Sequence, residues 1–165
     1  HKPFRIGSTL AADPGIVYDE IPRFPPEAFA FIRNIGTSKH KQFRDGMAQL
    51  LEEGVIQSFQ VANDARKQTL LGAVGQLQFD VVLYRLRDEY GAEPLLEPAS
   101  FTSVRWFDPG TRAEDRANDY LGSGVRLATD MRGQLVILFS GEWSMKYYME
   151  KHPDARLHAI SPHEA

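Results

Sequence analysis

Between Thr69 and Gly91 the apolar positions change period partway along, and the rest of the chain can be placed around that change. Thr69-Leu70-Leu71 is β-branched and aliphatic, the character of a strand, and Gly72 to Gly75 reads as a tight turn. Beyond it, Phe79, Val82, Leu83, Leu86 and Tyr90 recur at helical spacing and define a core-facing stripe. Leu77, Val81 and Tyr84 lie on the opposite side of the same helix, at roughly 100° per residue. Gln78, Arg85 and Glu89 form one polar seam between these faces, and Asp80 with Arg87 forms the other. A helix apolar on both sides predicts two covering layers, and the second half of the chain is expected to pack across the outer stripe.

Upstream, Glu27 to Ile35 alternates as a strand, with Phe29, Phe31 and Arg33 on one side and Ala28, Ala30 and Ile32 on the other. Gly36-Thr37-Ser38 supplies a turn and a hydroxyl cap for a helix carrying Phe43, Met47, Leu50 and Leu51, which Gly54 stops. Val55 to Val61 alternates again, Ala62 to Gln68 is a polar hairpin loop, and Ala92 to Pro98 is a short strand whose prolines suit a sheet edge. The order β-α-β-β-α-β predicts a ferredoxin-like unit in an α+β fold. The remainder plays a similar order without a sequence repeat. It runs through a strand at Phe101 to Phe107, a short polar helix at Arg112 to Tyr120, and paired strands at Gly124 to Asp130 and Gln134 to Ser140. A helix follows from Gly141 to His152, with Trp143, Tyr147 and Met149 or Met145 as its apolar side chains, and a last strand at Arg156 to Ile160. The expected division is therefore 1–22, 23–100 and 101–165. Within the first segment, Pro3 to Leu10 alternates like an edge strand, and Ala11 to Pro26 is a proline-rich connector around Ile16-Val17-Tyr18. The chain begins inside that strand pattern, which reads as a fragment. Lys2 to Leu10 is then expected to be disordered or engaged with a neighbour, because an orphan strand exposes unmet backbone groups.

Composition narrows the function classes. The 165 residues are 42% apolar and 25% charged, with a formal charge of −3, which argues against a protein that grips nucleic acid by bulk charge. With no cysteine there is no disulfide or thiolate metal site, as suits a cytoplasmic protein. No apolar run of about 18 residues marks a membrane segment.

Catalytic chemistry is hard to assemble. Gly72-Ala-Val-Gly75 lacks the lysine and hydroxyl that end a phosphate loop and the third glycine of a dinucleotide fingerprint, so a structural strand-to-helix turn is the reading of Gly72 and Gly75. His40, His152, His158 and His163 are scattered without metal-ligand spacing. No serine lies in a nucleophile elbow. The carboxylates of the central helix stand at ion-pair spacing to Arg85 and Arg87.

LLGAVGQLQFDVVLYRLRDEYGAEPLLEPASFTSVRW closely resembles the C-terminal region of the bacterial peptide chain release factor 3 family of translational GTPases. IPRFPPEAFAFIR and KQFRDGMAQLLEEGVIQSFQ resemble the segments leading into that region, and PFRIGSTL resembles the last strand of the preceding β-barrel. The resemblance runs from about Phe4 to Ala159 and weakens after Phe107. Ser8 and the stretch Arg112 to Arg132 depart from the family pattern, and elongation factor G shares the central turn and helix more loosely. The resemblance implies a non-catalytic portion of a GTPase that helps remove class I release factors from the ribosome. No cofactor belongs to this chain, since GTP and Mg²⁺ would sit in a GTPase domain outside it. The implied partners are the ribosome (its RNA and proteins), class I release factors and the other domains of the parent protein, with no membrane. The competing readings are a small-molecule regulatory domain, because βαββαβ units bind ligands in clefts, and the equivalent domain of an elongation factor G-like GTPase.

Lys39, His40, Lys41 and Arg44 cluster where the first helix begins, and cations beside exposed helix N–H groups suit an RNA phosphate. Arg105 beside Trp106, and Arg112 with Arg116, are comparable candidates. In each case a solvated charged face is the competing reading.

Overall fold

The computed structural model describes residues 24–162. The expected strand at Pro3 to Leu10, its engagement or disorder and most of the connector lie outside the described residues.

The described residues form eight strands in one antiparallel sheet: β1 (Ala28–Asn34), β2 (Gln57–Val61), β3 (Thr69–Ala73), β4 (Pro94–Pro98), β5 (Ser103–Phe107), β6 (Val125–Asp130), β7 (Leu135–Phe139) and β8 (Leu157–His158). The helices are α1 (His40–Glu52), α2 (Gln76–Asp88) and α3 (Glu142–Lys151). Strand order across the sheet is β4-β1-β3-β2-β6-β7-β5-β8. The first four follow the ferredoxin-like order, and the last four repeat it in mirrored sequence. Gly54, in the left-handed region at φ 76°, ends α1 as the turn signal predicted. Proline-bearing β4 lies at an edge, where missing N–H groups cost no ladder bond.

Directly paired residues of an antiparallel ladder share a face, so register sorts the side chains. Phe29 stands opposite Gly72, Phe59 opposite Leu70, Val61 opposite Ala128, Ala128 opposite Val136, and Leu138 opposite Val104. This face carries one apolar core spanning both halves, and no helix among the described residues covers it. The Phe59 and Trp106 ring centroids are 6.0 Å apart. Three strand spacings separate β2 from β5, roughly 14 Å in a flat sheet. The sheet therefore curls inward around this core. The other face carries two separate cores, one under α1 and α2 and one under α3.

Helices α1 and α2 approach closely at Gly46, where an added Cβ would lie 2.6 Å from Leu86 Cδ2 and 2.9 Å from the Tyr90 ring. Arg85 of α2 ties them further, its guanidinium donating to both carboxylate oxygens of Glu53 and to Glu89 Oε2. The Arg85 hydrogen bond, with a second from Gln49, holds the Glu53 carboxyl below its ordinary range.

Several expectations need correction. The second half does not cover the outer stripe of α2. It joins the first edge to edge through β2 and β6, leaving Leu77 70%, Val81 39% and Tyr84 64% exposed. The apolar side chains of β5 and β7 are covered elsewhere, Val104, Trp106, Val136 and Leu138 by the curl of the sheet and Phe107, Ile137 and Phe139 by α3. Val81→Asp should therefore cost no more than about 1 kcal/mol, shifting the melting temperature of this chain by roughly 2–4 °C, and a much larger fall in a thermal melt would contradict the exposed stripe.

Only Ala113–Arg116 of the expected helix Arg112 to Tyr120 is helical, as one 3₁₀ turn. That segment has no apolar stripe to hold a longer helix on the sheet. In α3, Trp143 and Met149 are exposed and Met145 is partly buried, while Tyr148 is the fully buried anchor. Lys39, in the left-handed conformation at φ 67°, occupies the cap position of α1 in place of a hydroxyl residue. Gly72 lies inside β3 rather than in the turn. Its missing Cβ would sit 3.0 Å from both the Phe59 ring and Pro26 Cβ, so close packing is what it provides.

Candidate functional site

The loop between β1 and α1 is pinned by Asn34. Its amide nitrogen donates to Ser38 O at 3.1 Å, and its amide oxygen accepts from Glu93 N at 3.0 Å. That fixes where α1 begins, and Lys39, His40, Lys41 and Arg44 are all exposed there. The first turn of α1 contains no acidic residue and no side chain caps its N–H groups. Cations at this end oppose the helix dipole, an arrangement that an external anion would relieve. Lys41 and Arg44 stand three residues apart on one face of the helix, with Lys39 just before its first turn.

The candidates in the second half are arranged differently. Arg105 projects from β5 on the face that α3 covers, and its Nη1 donates to Val104 O at 2.8 Å. Arg112 is exposed, with Nη2 3.6 Å from Asp115 Oδ1. The Arg116 side chain is only 13% exposed, and it pairs with Asp119 at 3.4 Å and Asp154 at 3.0 Å while its guanidinium lies over the Phe107 ring. Its charge is committed to holding the 3₁₀ turn against the end of α3. The two groups of cations thus belong to opposite halves of the sheet.

That network is the feature sequence reasoning missed. Tyr148 Oη donates to Asp119 Oδ2 at 2.6 Å, and His152 Nδ1 stands 3.5 Å from Asp119 Oδ1. Burial, followed by the bond to Asp119, pushes the Tyr148 phenol above its ordinary range. The four-residue spacing of Ser144, Tyr148 and His152 was the available signal for this side of α3.

An open cleft of about 680 Å³ lies between α3 and the start of β5, lined by residues that include Ser103, Arg105, Glu142 and Lys146. Ser103 Oγ is buried without a hydrogen-bond partner. The cleft offers two cations against the carboxylates of Glu27 and Glu142, so no single ligand charge is favoured.

The glycine segment does not fit a nucleotide. Gly72 is held in β3, and Gly75 is the extended cap of α2 at φ −159°, its N–H donating to Gln78 Oε1 at 3.0 Å. The donor that would face a phosphate is already used, and no lysine or hydroxyl accompanies it. Among the described residues, no group of three or more histidine or carboxylate side chains comes together to hold a metal ion. No helix among them is long and apolar enough to cross a membrane.

Comparison with known proteins connects this domain to a family. The family model described as Class II release factor RF3, C-terminal domain, matches residues 18–149. Peptide chain release factor 3 of Synechococcus sp. is 40% identical over 159 residues, covering 96% of this chain and 28% of that relative. The proteins of the same name from Microcystis aeruginosa and Gloeobacter violaceus are 39% and 40% identical, with 29% and 30% of their lengths covered. The chain spans less than a third of the length of the curated relatives it matches. It belongs to the family of class II release factor C-terminal domains.

Proposed function

We propose that this domain is a ribosome- and factor-contacting module of a translational GTPase acting in termination, and that it helps the parent protein remove class I release factors from the ribosome. The observation that carries the reading is the family match across most of the chain. The uncompensated basic start of α1 supports it with a surface suited to phosphate. In this reading Lys39, Lys41 and Arg44 meet ribosomal RNA, with Arg105 and Arg112 as further candidates. GTP hydrolysis and its Mg²⁺ belong to a part of the parent protein outside this chain, and the parent works in the cytoplasm.

Replacing Lys39, Lys41 and Arg44 together by Glu in the full-length protein tests the contact. Ribosome pelleting across a salt series should show weaker binding, with the slope of log affinity against log salt reduced by roughly two to three, about one per lost phosphate contact. Unchanged affinity and slope would remove these residues from the interface. The small-molecule reading is favoured by the cleft beside Ser103. Saturable calorimetric binding of an amino acid or nucleotide there, without ribosome binding, would replace the first reading.

A further inference from the structure

Ser103 and Arg105 share one face of β5, two positions apart and so about 7 Å from each other along the strand. Helix α3 lies over that face and carries Glu142, Met145 and Lys146 at i, i+3 and i+4, on one side of the helix. Pro25 and Glu27, where the chain enters the first half, close a third side. Together these segments line the cleft of about 680 Å³, within the size range of small-molecule sites.

The fold leaves the polar groups of this lining largely unengaged. Ser103 Oγ is buried without a hydrogen-bond partner, whereas a buried hydroxyl is nearly always paired. Arg105 donates from Nη1 to Val104 O, and neither it nor Glu27, Glu142 or Lys146 forms an ion pair among the described residues. The cleft therefore gathers two cations and two carboxylates that do not neutralise one another. Met145 and Pro25, both half-buried, add apolar surface beside them.

We propose that this cleft is a binding site for a small zwitterion with an apolar side chain, of the α-amino acid or dipeptide class. A simple anion would meet Glu27 and Glu142, and a simple cation would meet Arg105 and Lys146, so a ligand carrying both charges is the one that satisfies all four. The planar Arg105 guanidinium suits the ligand carboxylate, with Lys146 adding positive charge. Glu27 and Glu142 receive the ammonium group, and Met145 and Pro25 meet the apolar side chain. A carboxylate brought to the β5 wall also offers an acceptor to Ser103. The contact proposed for Lys39, Lys41 and Arg44 involves no residue of this cleft, so the two sites stand or fall separately.

Titration of the 165-residue chain with L-leucine and with L-leucyl-L-leucine, followed by nitrogen-15 NMR, tests the site. At least one of the two should shift the amide signals of Ser103, Arg105 and Met145 and saturate below about 10 mM, a range open to ligands of so few atoms. The one that saturates at the lower concentration identifies the amino acid or the dipeptide as the better fit. N-acetyl-leucine and leucinamide, each lacking one of the two charges, should bind at least about tenfold more weakly than leucine, the usual worth of a hydrogen bond to a charged group. Arg105→Gln should weaken binding of the zwitterion by a similar factor and leave leucinamide unchanged, with the spectrum itself reporting that the variant is folded. Absence of saturation by either zwitterion would overturn the proposal, as would shifts centred away from β5 and α3 or equal binding of the singly charged compounds.

Discussion

Trp106→Ala is expected to destabilise this domain by about 3–5 kcal/mol, the usual cost of deleting a large buried aromatic. Trp106 is 2% exposed, lies against Phe59 from the other half, and donates its Nε1–H to Asp130 Oδ2 at 3.0 Å. The other oxygen of Asp130 accepts from Arg132 N and Gln134 N at 2.9 Å, shaping the turn between β6 and β7. One substitution therefore opens a cavity in the core shared by both halves and removes a partner from the carboxylate that shapes the turn. Thermal melting should show a single transition lowered by roughly 6–20 °C, at about 2–4 °C per kcal/mol for a chain of this size. Trp106→Phe, which keeps most of the volume, should lose less than half as much. Two separated transitions, or a fall under about 3 °C, would mean that the halves are held by the β2–β6 ladder alone.

Tyr148→Phe should cost about 1.5–3 kcal/mol at neutral pH, as expected for a hydroxyl bonded to a carboxylate in a buried setting. The pH dependence identifies the cause. The folded phenol titrates above its unfolded value of about 10, so its contribution is fully present below that value and is lost as pH rises beyond it. Urea denaturation should show the wild type losing stability above about pH 10 more steeply than Tyr148→Phe, by up to about 1.4 kcal/mol per pH unit. The difference between the two proteins should narrow accordingly. A difference that stays constant up to pH 11 would show that the phenol titrates alike in both states.

The first half was legible because period and punctuation agreed there. Alternation placed Phe29 and Ile32 on opposite faces of β1, the four-residue rhythm of Met47, Leu50 and Leu51 marked α1, and the prolines placed β4 at an edge. The second half resisted in two places for a shared reason. Trp143 and Tyr147 look like core residues by type, but the face of α3 that meets the sheet is chosen by Tyr148, whose polar end is satisfied by Asp119, more than a turn of chain away from anything local periodicity can report. The outer stripe of α2 was read correctly as apolar and wrongly as covered from within. Hydrophobic pattern says that a surface seeks a partner, but it does not name the partner, and here the curl of the sheet used the second half's apolar strands elsewhere. At the candidate interface, the cations of α1 were visible as a cluster. The burial of Arg116 was not, because its partners Asp119 and Asp154 depend on how the 3₁₀ turn meets α3.

The junction between β2 and β6 has a kinetic consequence. Its three registered pairs, Phe59 with Asp130, Gln60 with Thr129 and Val61 with Ala128, join residues separated by 71, 69 and 67 positions, whereas β6 and β7 pair across a short hairpin. Closing a loop of that length costs chain entropy before any contact offsets it, so the seam, like the β1–β4 ladder whose pairs lie 60 to 68 positions apart, is expected to form after local hairpins such as β6–β7. A seam formed that late is expected to contribute little to the folding transition state. Substitutions within it, such as Val61→Ala, should accelerate unfolding while leaving the refolding rate nearly unchanged, so that the lifetime of the joined sheet is governed by its narrowest ladder.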